Sequence, residues 1–262
     1  MQIAIVLFDR FTALDAVGPY ETLGRLPDAE TVFVAERTGP VRNDTGNLAL
    51  TADRTFADVT APDIVVVPGG PGQEPLMEHE PFLDWLREAD AHTTWTTSVC
   101  TGSLLLAAAG LLKGRRATSH WLALEELPRF GAEPTGERVV TDGKYVTAAG
   151  VSSGIDMGLT LLGRLAGHDH AQLVQLLTEY DPSRPTTRDH RRRRPRTSSN
   201  DSGSTPTASS RRHTPAEPRL PALQERGDPL RGVAARTRLP GPVGVPVRTP
   251  VGELLGRRLR QL

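Results

Sequence analysis

The sequence predicts an α/β fold, an open and mainly parallel sheet with helices on both faces. Three observations point to it. Short apolar or β-branched runs alternate with helix-patterned stretches along residues 1–184. The wholly apolar run Ile64–Val67 passes straight into Pro68-Gly69-Gly70-Pro71-Gly72, as a strand buried on both faces does before a turn. The single cysteine, Cys100, stands between a β-prone run and an apolar helical one.

Taken in order, residues 3–8 are apolar and β-branched enough for a first buried strand, and residues 12–26 form the helix after it. Residues 31–35 give a second strand and Ile64–Val67 the central one. A helix over 80–91 follows, then a strand over 94–99 that leads into Cys100, then a helix over 104–112. Val139-Val140 and Tyr145-Val146-Thr147 flank Asp142-Gly143-Lys144 as the arms of a hairpin. Helices over 154–165 and 171–179 close the pattern and leave His168-Asp169-His170 as a loop; there is no internal repeat. In sheets of this kind ligands gather at the carboxyl ends of the strands, where the strand order reverses. The loops after Phe8, after Val67 and at Cys100 are therefore expected to meet.

The net charge of zero hides two halves of opposite sign. Through Arg184 there are 25 acidic residues against 14 basic ones, a formal charge of −11; beyond it stand 17 Arg, no Lys and 6 acidic residues, a formal +11. Residues 1–184 are long enough to bury a core and read as one enzyme-sized domain. Residues 185–262 read as an Arg/Pro-rich tail. The last 77 residues hold 10 Pro, four consecutive arginines at 191–194 and a Ser/Thr-rich stretch at 197–210. Such a composition cannot repay its ordering entropy, and disorder is expected. The arginines suit an acidic surface or a nucleic acid, but no aromatic residue is present for base stacking and no finger or helix-turn-helix pattern occurs, which argues against nucleic acid. The same composition would also arise from reading a GC-rich gene out of frame. One cysteine excludes an internal disulfide framework and fits a reducing compartment. With no signal-peptide pattern and no run of membrane-spanning length, a cytoplasmic protein is expected, with no membrane partner.

Cys100 carries the strongest chemical signal. A strand that hands a thiol to a helix N-terminus presents a nucleophile on a tight turn, as a nucleophile elbow does. The unpaired amides and the helix dipole there favour a thiolate, so its pKa is expected to fall; the plainer reading is a small buried side chain that packs. Asp15, just after the first strand and flanked by apolar residues, is either a general acid with a pKa raised by burial or a turn aspartate. The amides of Gly69 and Gly70, with that of Thr101, suit an anion pocket, or the glycines simply make a Pro-Gly turn. His120, beside Trp121, is a base or orienting group, or a packed side chain. Scattered histidines and the lack of a Cys pair give metal binding no support, and Gly-Gly-Pro-Gly lacks the Lys-Ser/Thr of a phosphate loop.

Leu14-Asp15-Ala16-Val17-Gly18-Pro19, Val67-Pro68-Gly69-Gly70, Ser98-Val99-Cys100-Thr101-Gly102-Ser103, the stretch from Ala109 to Trp121 that ends Thr118-Ser119-His120-Trp121, and Gly154-Ile155-Asp156 together resemble the ThiJ/PfpI superfamily, with its glutamine-amidotransferase-like fold. Within it they are most similar to the isonitrile hydratases, over residues 2–182. The resemblance implies a flavodoxin-like three-layer sandwich, a homodimer, and addition of water to a small-molecule isonitrile to give an N-substituted formamide, without cofactor or metal. It places the nucleophile on Cys100, its acidic partner on Asp15 and a supporting hydroxyl on Thr101. Peptidase relatives carry His where Thr101 stands, and glyoxalase-like relatives Glu where Asp15 stands, so protease, glyoxalase and chaperone roles are less favoured. The rival is the ligand-sensing domain of AraC-type transcription regulators, which shares the Cys-Thr-Gly and Thr-x-His-Trp patterns. Those proteins go on into helix-turn-helix sequence, whereas this chain becomes proline-broken after Ser183 and leaves the pattern of the hydratases there too.

Overall fold

The computed structural model describes residues 1–182. The expectations for the Arg/Pro-rich tail lie outside the described residues. In chain order the elements are β1 (Gln2–Val6), α1 (Ala13–Leu23), β2 (Glu30–Ala35), β3 (Gly39–Arg42), β4 (Ala49–Ala52), β5 (Arg54–Thr55), β6 (Ile64–Val67), α2 (Gln73–Leu76), α3 (Glu80–His92) and β7 (Trp95–Val99). There follow α4 (Gly102–Ala108), β8 (Arg116–Ala117), β9 (Glu133–Pro134), β10 (Val139–Asp142), β11 (Tyr145–Ala148), α5 (Ser153–Leu165) and α6 (His168–Leu177).

Seven strands make the main sheet, in the order β10-β11-β7-β6-β1-β2-β5. All pairs are parallel except the hairpin β10/β11, whose register sets Asp142 opposite Tyr145. From β1 the chain steps to β2 on one side, and from β6 to β7 on the other. Right-handed crossovers then put α1 and α3 on opposite faces. α1, α5 and α6 pack together on one face, and α2, α3 and α4 on the other. Covered on both sides, β1 after Gln2 and the whole of β6 are apolar: Ile3, Ala4, Ile5, Val6 and every residue of β6 are buried. The strand order reverses between β1 and β6, and in sheets of this kind the carboxyl ends of such strands are where ligands gather.

Several boundaries differ from expectation. The helix after Cys100 starts at Gly102, two residues nearer the thiol, and ends at Ala108, shortly before Gly110 turns the chain with φ +84°. His168-Asp169-His170 is the first turn of α6 rather than a loop; Gly167, with φ +89°, breaks the chain just before it, and His170 Nε2 lies 2.9 Å from the Arg25 carbonyl. The small hairpin β3/β4 was not foreseen, nor were the two-residue strands β5, β8 and β9. Among the described residues, no helix is long and apolar enough to cross a membrane.

Candidate active site

Three loops meet at the carboxyl edge of the sheet, joined by hydrogen bonds. The Thr12 amide, after β1, donates to the Gly69 carbonyl at 2.8 Å. The Gly69 amide, after β6, donates to Asp15 Oδ2 at 2.9 Å, and the Gly70 amide to Thr101 Oγ1 at 3.0 Å. These approaches require glycine. A Cβ on Gly69 would lie 2.5 Å from both the amide nitrogen and the hydroxyl of Thr101, and one on Gly70, at φ +130°, 2.5 Å from the Thr12 nitrogen.

Cys100 occupies the turn between β7 and α4 with φ +58°, a backbone that non-glycine residues seldom adopt. The strain is of the kind that clusters at functional positions and persists only where the surroundings hold it. Here the Cys100 amide donates to the Ala148 and Ala149 carbonyls at 3.0 and 3.2 Å, and its carbonyl accepts from Ser103 Oγ and Ser119 Oγ at 3.2 and 3.1 Å. The turn is thereby tied to β11, to its own helix and to the segment that carries His120.

Asp15, in the first turn of α1, is wholly buried and hydrogen-bonded to the Cys100 thiol. Its Oδ1 has no hydrogen-bond partner. Burial pushes its carboxyl pKa up to about 7, against the opposing pull of the Gly69 amide and the thiol, with nearby Asp44 adding to the rise. This agrees with the raised value read from the sequence.

The expectation for Cys100 itself is overturned. Its pKa is pushed up to about 12, first by burial and then by the charge of Asp15. The Thr101 and Val151 amides that reach the sulfur pull the other way and do not compensate. The helix behind the thiol is seven residues long, too short to outweigh a buried carboxylate. At neutral pH the resting sulfur is therefore a thiol.

The amides of Gly69 and Gly70, expected to form an anion pocket with Thr101, are engaged elsewhere, on Asp15 and on the Thr101 hydroxyl. The donors at the sulfur are Thr101 and Val151. Val151 was missed because nothing in Ala149-Gly150-Val151 marks a donor; its one structural sign is φ +30°, unusual for a β-branched residue. His120 lies against Gly150, where a Cβ would come within 2.4 Å of its ring, and so borders the turn that carries Val151. Its Nδ1 accepts from the Leu122 amide at 3.3 Å. Among the described residues, no group of three His, Cys, Asp or Glu is placed to hold a metal ion.

A doubly wound sheet with a buried thiol on a strained elbow, and a carboxyl group hydrogen-bonded to it, defines a class of α/β proteins built around one cysteine. The model of the DJ-1/PfpI family matches residues 1–164, and the chain belongs to that family. It is 48% identical over 185 residues to an isonitrile hydratase from Pseudomonas putida, a match covering 71% of this chain and 81% of that one. Among solved structures, a ThiJ/PfpI family protein from Pseudomonas syringae superposes with a TM-score of 0.69 at 40% identity, over 71% of this chain and 77% of the other. The HTH-type transcriptional regulator CdhR from Pseudomonas aeruginosa is 36% identical over 134 residues, which are 49% of this chain and 38% of the regulator.

Proposed function

We propose that the chain is a cysteine-dependent hydratase that adds water to an isonitrile and releases an N-substituted formamide. The observation that carries this reading is the Cys100–Asp15 contact, in a chain nearly half identical to an isonitrile hydratase over most of both lengths. The likeness to the regulator is confined to the portion the two share and supports the fold alone.

The resting pair, a thiol against a carboxyl with a pKa near 7, sets the order of proton movements. The Cys100 sulfur bonds to the terminal isonitrile carbon while its proton passes to Asp15 and on to that carbon, leaving a thioimidate, Cys–S–CH=N–R. The Val151 and Thr101 amides stabilise the charge on sulfur as the S–H bond breaks. Water then adds across the C=N bond to give Cys–S–CH(OH)–NHR. Collapse breaks the C–S bond, the hydroxyl proton returns through Asp15 to the sulfur, and the formamide leaves. The Thr101 hydroxyl accepts from Gly70 and still has its own proton to give, which suits it to orient the water.

As parts of the same reading we place the protein in the cytoplasm, where a lone thiol stays reduced, and take it as a homodimer, the state its resemblance implies; light scattering on the eluted peak checks the second point. The activity is tested by incubating the protein with a simple alkyl isonitrile and following formamide formation. Wild type is expected to turn over and Cys100→Ala to stay at the uncatalysed rate. Equal rates for the two would end the proposal.

A further inference from the structure

The turn between β11 and α5, residues 149–152, carries the Val151 amide that acts on the Cys100 sulfur, and one residue outside the site holds both of its ends, the first by its backbone carbonyl and the second by its side chain. Arg138 precedes β10 and lies at the carboxyl edge of the sheet. Its carbonyl accepts from the Ala149 amide at 2.9 Å, while Nη2 donates to Ser152 Oγ, the N-cap residue of α5, at 3.2 Å. The guanidinium is held in turn. Nε and Nη2 both meet Asp156 Oδ2, at 2.6 and 2.5 Å, and Nη2 is 3.5 Å from the Tyr180 hydroxyl. Tyr180 closes the triangle by donating to Asp156 Oδ2 at 3.2 Å. Between the two gripped ends sits Val151, at φ +30°. A β-branched residue keeps such a backbone only where its neighbours over-determine it.

We propose that Arg138 is a positioning residue for the nucleophile: its guanidinium, held by Asp156 and Tyr180, fixes Ser152 at one end of a turn whose other end, Ala149, its backbone carbonyl already holds, so that the Val151 N–H stays aimed at Cys100 Sγ. An ion pair this exposed contributes little to stability as such. Its use is geometric, since a planar guanidinium presents separate nitrogens in a fixed fork, Nε and Nη2 to Asp156 and Nη2 to Ser152, whereas an ammonium is one freely rotating point that fixes no direction. The inference rests on Cys100 being the nucleophile, and on no particular substrate.

The charges facing the thiol are Asp15 from α1 and, behind it, Asp44; His120 borders the same turn. None belongs to the Arg138 cluster, so the cluster can be altered while the thiol keeps these neighbours. The test uses the full chain and its single cysteine. Iodoacetamide alkylation is timed at pH 8–9, where the rate follows the thiolate fraction. If the Val151 amide is displaced, the thiol pKa rises by about one unit and alkylation slows about ten-fold. This slowing is expected for Arg138→Lys and for Asp156→Ala, with a smaller one, about three-fold, for Tyr180→Phe. In the isonitrile assay kcat should fall in the same proportion with KM little changed.

The direction separates this role from the plainer ones. A merely structural cluster, once loosened, would expose the thiol and speed alkylation. A merely electrostatic one would make the thiol of Asp156→Ala more acidic and again faster. Faster or unchanged alkylation in Arg138→Lys and Asp156→Ala overturns the proposal. Tyr180→Phe removes only a hydroxyl from the edge of the fold, so it decides the matter should either of the others not fold: slower supports the proposal, and unchanged or faster overturns it. Alkylation requires no isonitrile, so a protein inactive on isonitriles would sink the hydratase reading and leave this result standing.

Discussion

Asp15 and Cys100 move one another's pKa in opposite directions: their hydrogen bond lowers that of the carboxyl and raises that of the thiol. Burial acts on both and dominates each. The outcome is a pair that keeps its proton on sulfur at rest while holding the carboxyl close to neutrality. That suits a reaction in which one proton must leave sulfur and arrive on carbon without entering bulk water.

Removing the acid should therefore make the thiol more reactive and the enzyme inactive. In Asp15→Asn the largest cause of the raised thiol pKa after burial is gone, so iodoacetamide should alkylate Cys100 about ten-fold faster at pH 8, one unit of pKa being a factor of ten. Formamide production should fall to background in the same sample, because no group remains to carry the proton to carbon. A variant that is slower to alkylate, or that still turns over, would remove Asp15 from this role.

The same carboxyl has a pH signature in stability. Its ordinary value of 3.8 rises to about 7 in the fold. Between those values the folded chain keeps a proton that the unfolded chain has released, so stability falls as pH rises from about 4 to about 7. The cost is complete above pH 7 and amounts to ~4 kcal/mol at 1.36 kcal/mol per unit. Urea titrations of Asp15→Asn are expected to match wild type near pH 4 and to exceed it by ~2–4 kcal/mol at pH 8. Equal stabilities at pH 8 would mean that the carboxyl bears no burial penalty.

The sequence revealed the elements that bury hydrophobic runs and stop at clear breakers. β1, β6, β7 and the β10/β11 hairpin were all visible, and with them the meeting of the loops that hold Asp15, Gly69 and Cys100. It was silent where local pattern is weak. β3 and β4 carry Pro40 and the polar turn Asn43-Asp44-Thr45-Gly46, which shows little alternation, and β5, β8 and β9 are two residues each. The thiol pKa was misjudged for another reason. Helix polarity can be read from a local run, but the burial of Cys100 and its distance from Asp15, 85 residues away in sequence, exist only in the folded chain. The donors at the sulfur were legible only for Thr101, which adjoins it; Val151 comes from a different strand end.

Gly69 offers a steric test of the site. A methyl group there would sit 2.5 Å from the amide and hydroxyl of Thr101 and 3.0 Å from Cys100 Cβ, all parts of the elbow that cannot retreat without moving the nucleophile. Gly69→Ala is expected to cost ~1–3 kcal/mol in stability, the usual range for overpacking. Its kcat should drop ~100-fold, as for a displacement of about an ångström at a reacting group. A variant with wild-type kcat would show that the contact between the β6 loop and the elbow is not needed for turnover.

The C-terminal boundary of the domain is open to a direct test, starting from α6. This helix leaves Leu176 69% and Leu177 43% exposed, with Leu173 at 37%, an apolar row that comes close to the end of the described fold. Among the described residues, Tyr180 is the last whose side chain ties back to the body of the protein, through Asp156. Residues 1–184 keep that tie, and a chain ending there is expected to fold, to melt within a few degrees of the full chain and to retain formamide production. If it instead precipitates while the full chain stays soluble, the residues beyond 184 belong to the domain. Leu176→Gln in the shortened chain should then restore solubility, because it removes the most exposed apolar side chain of α6 without touching the Cys100 site.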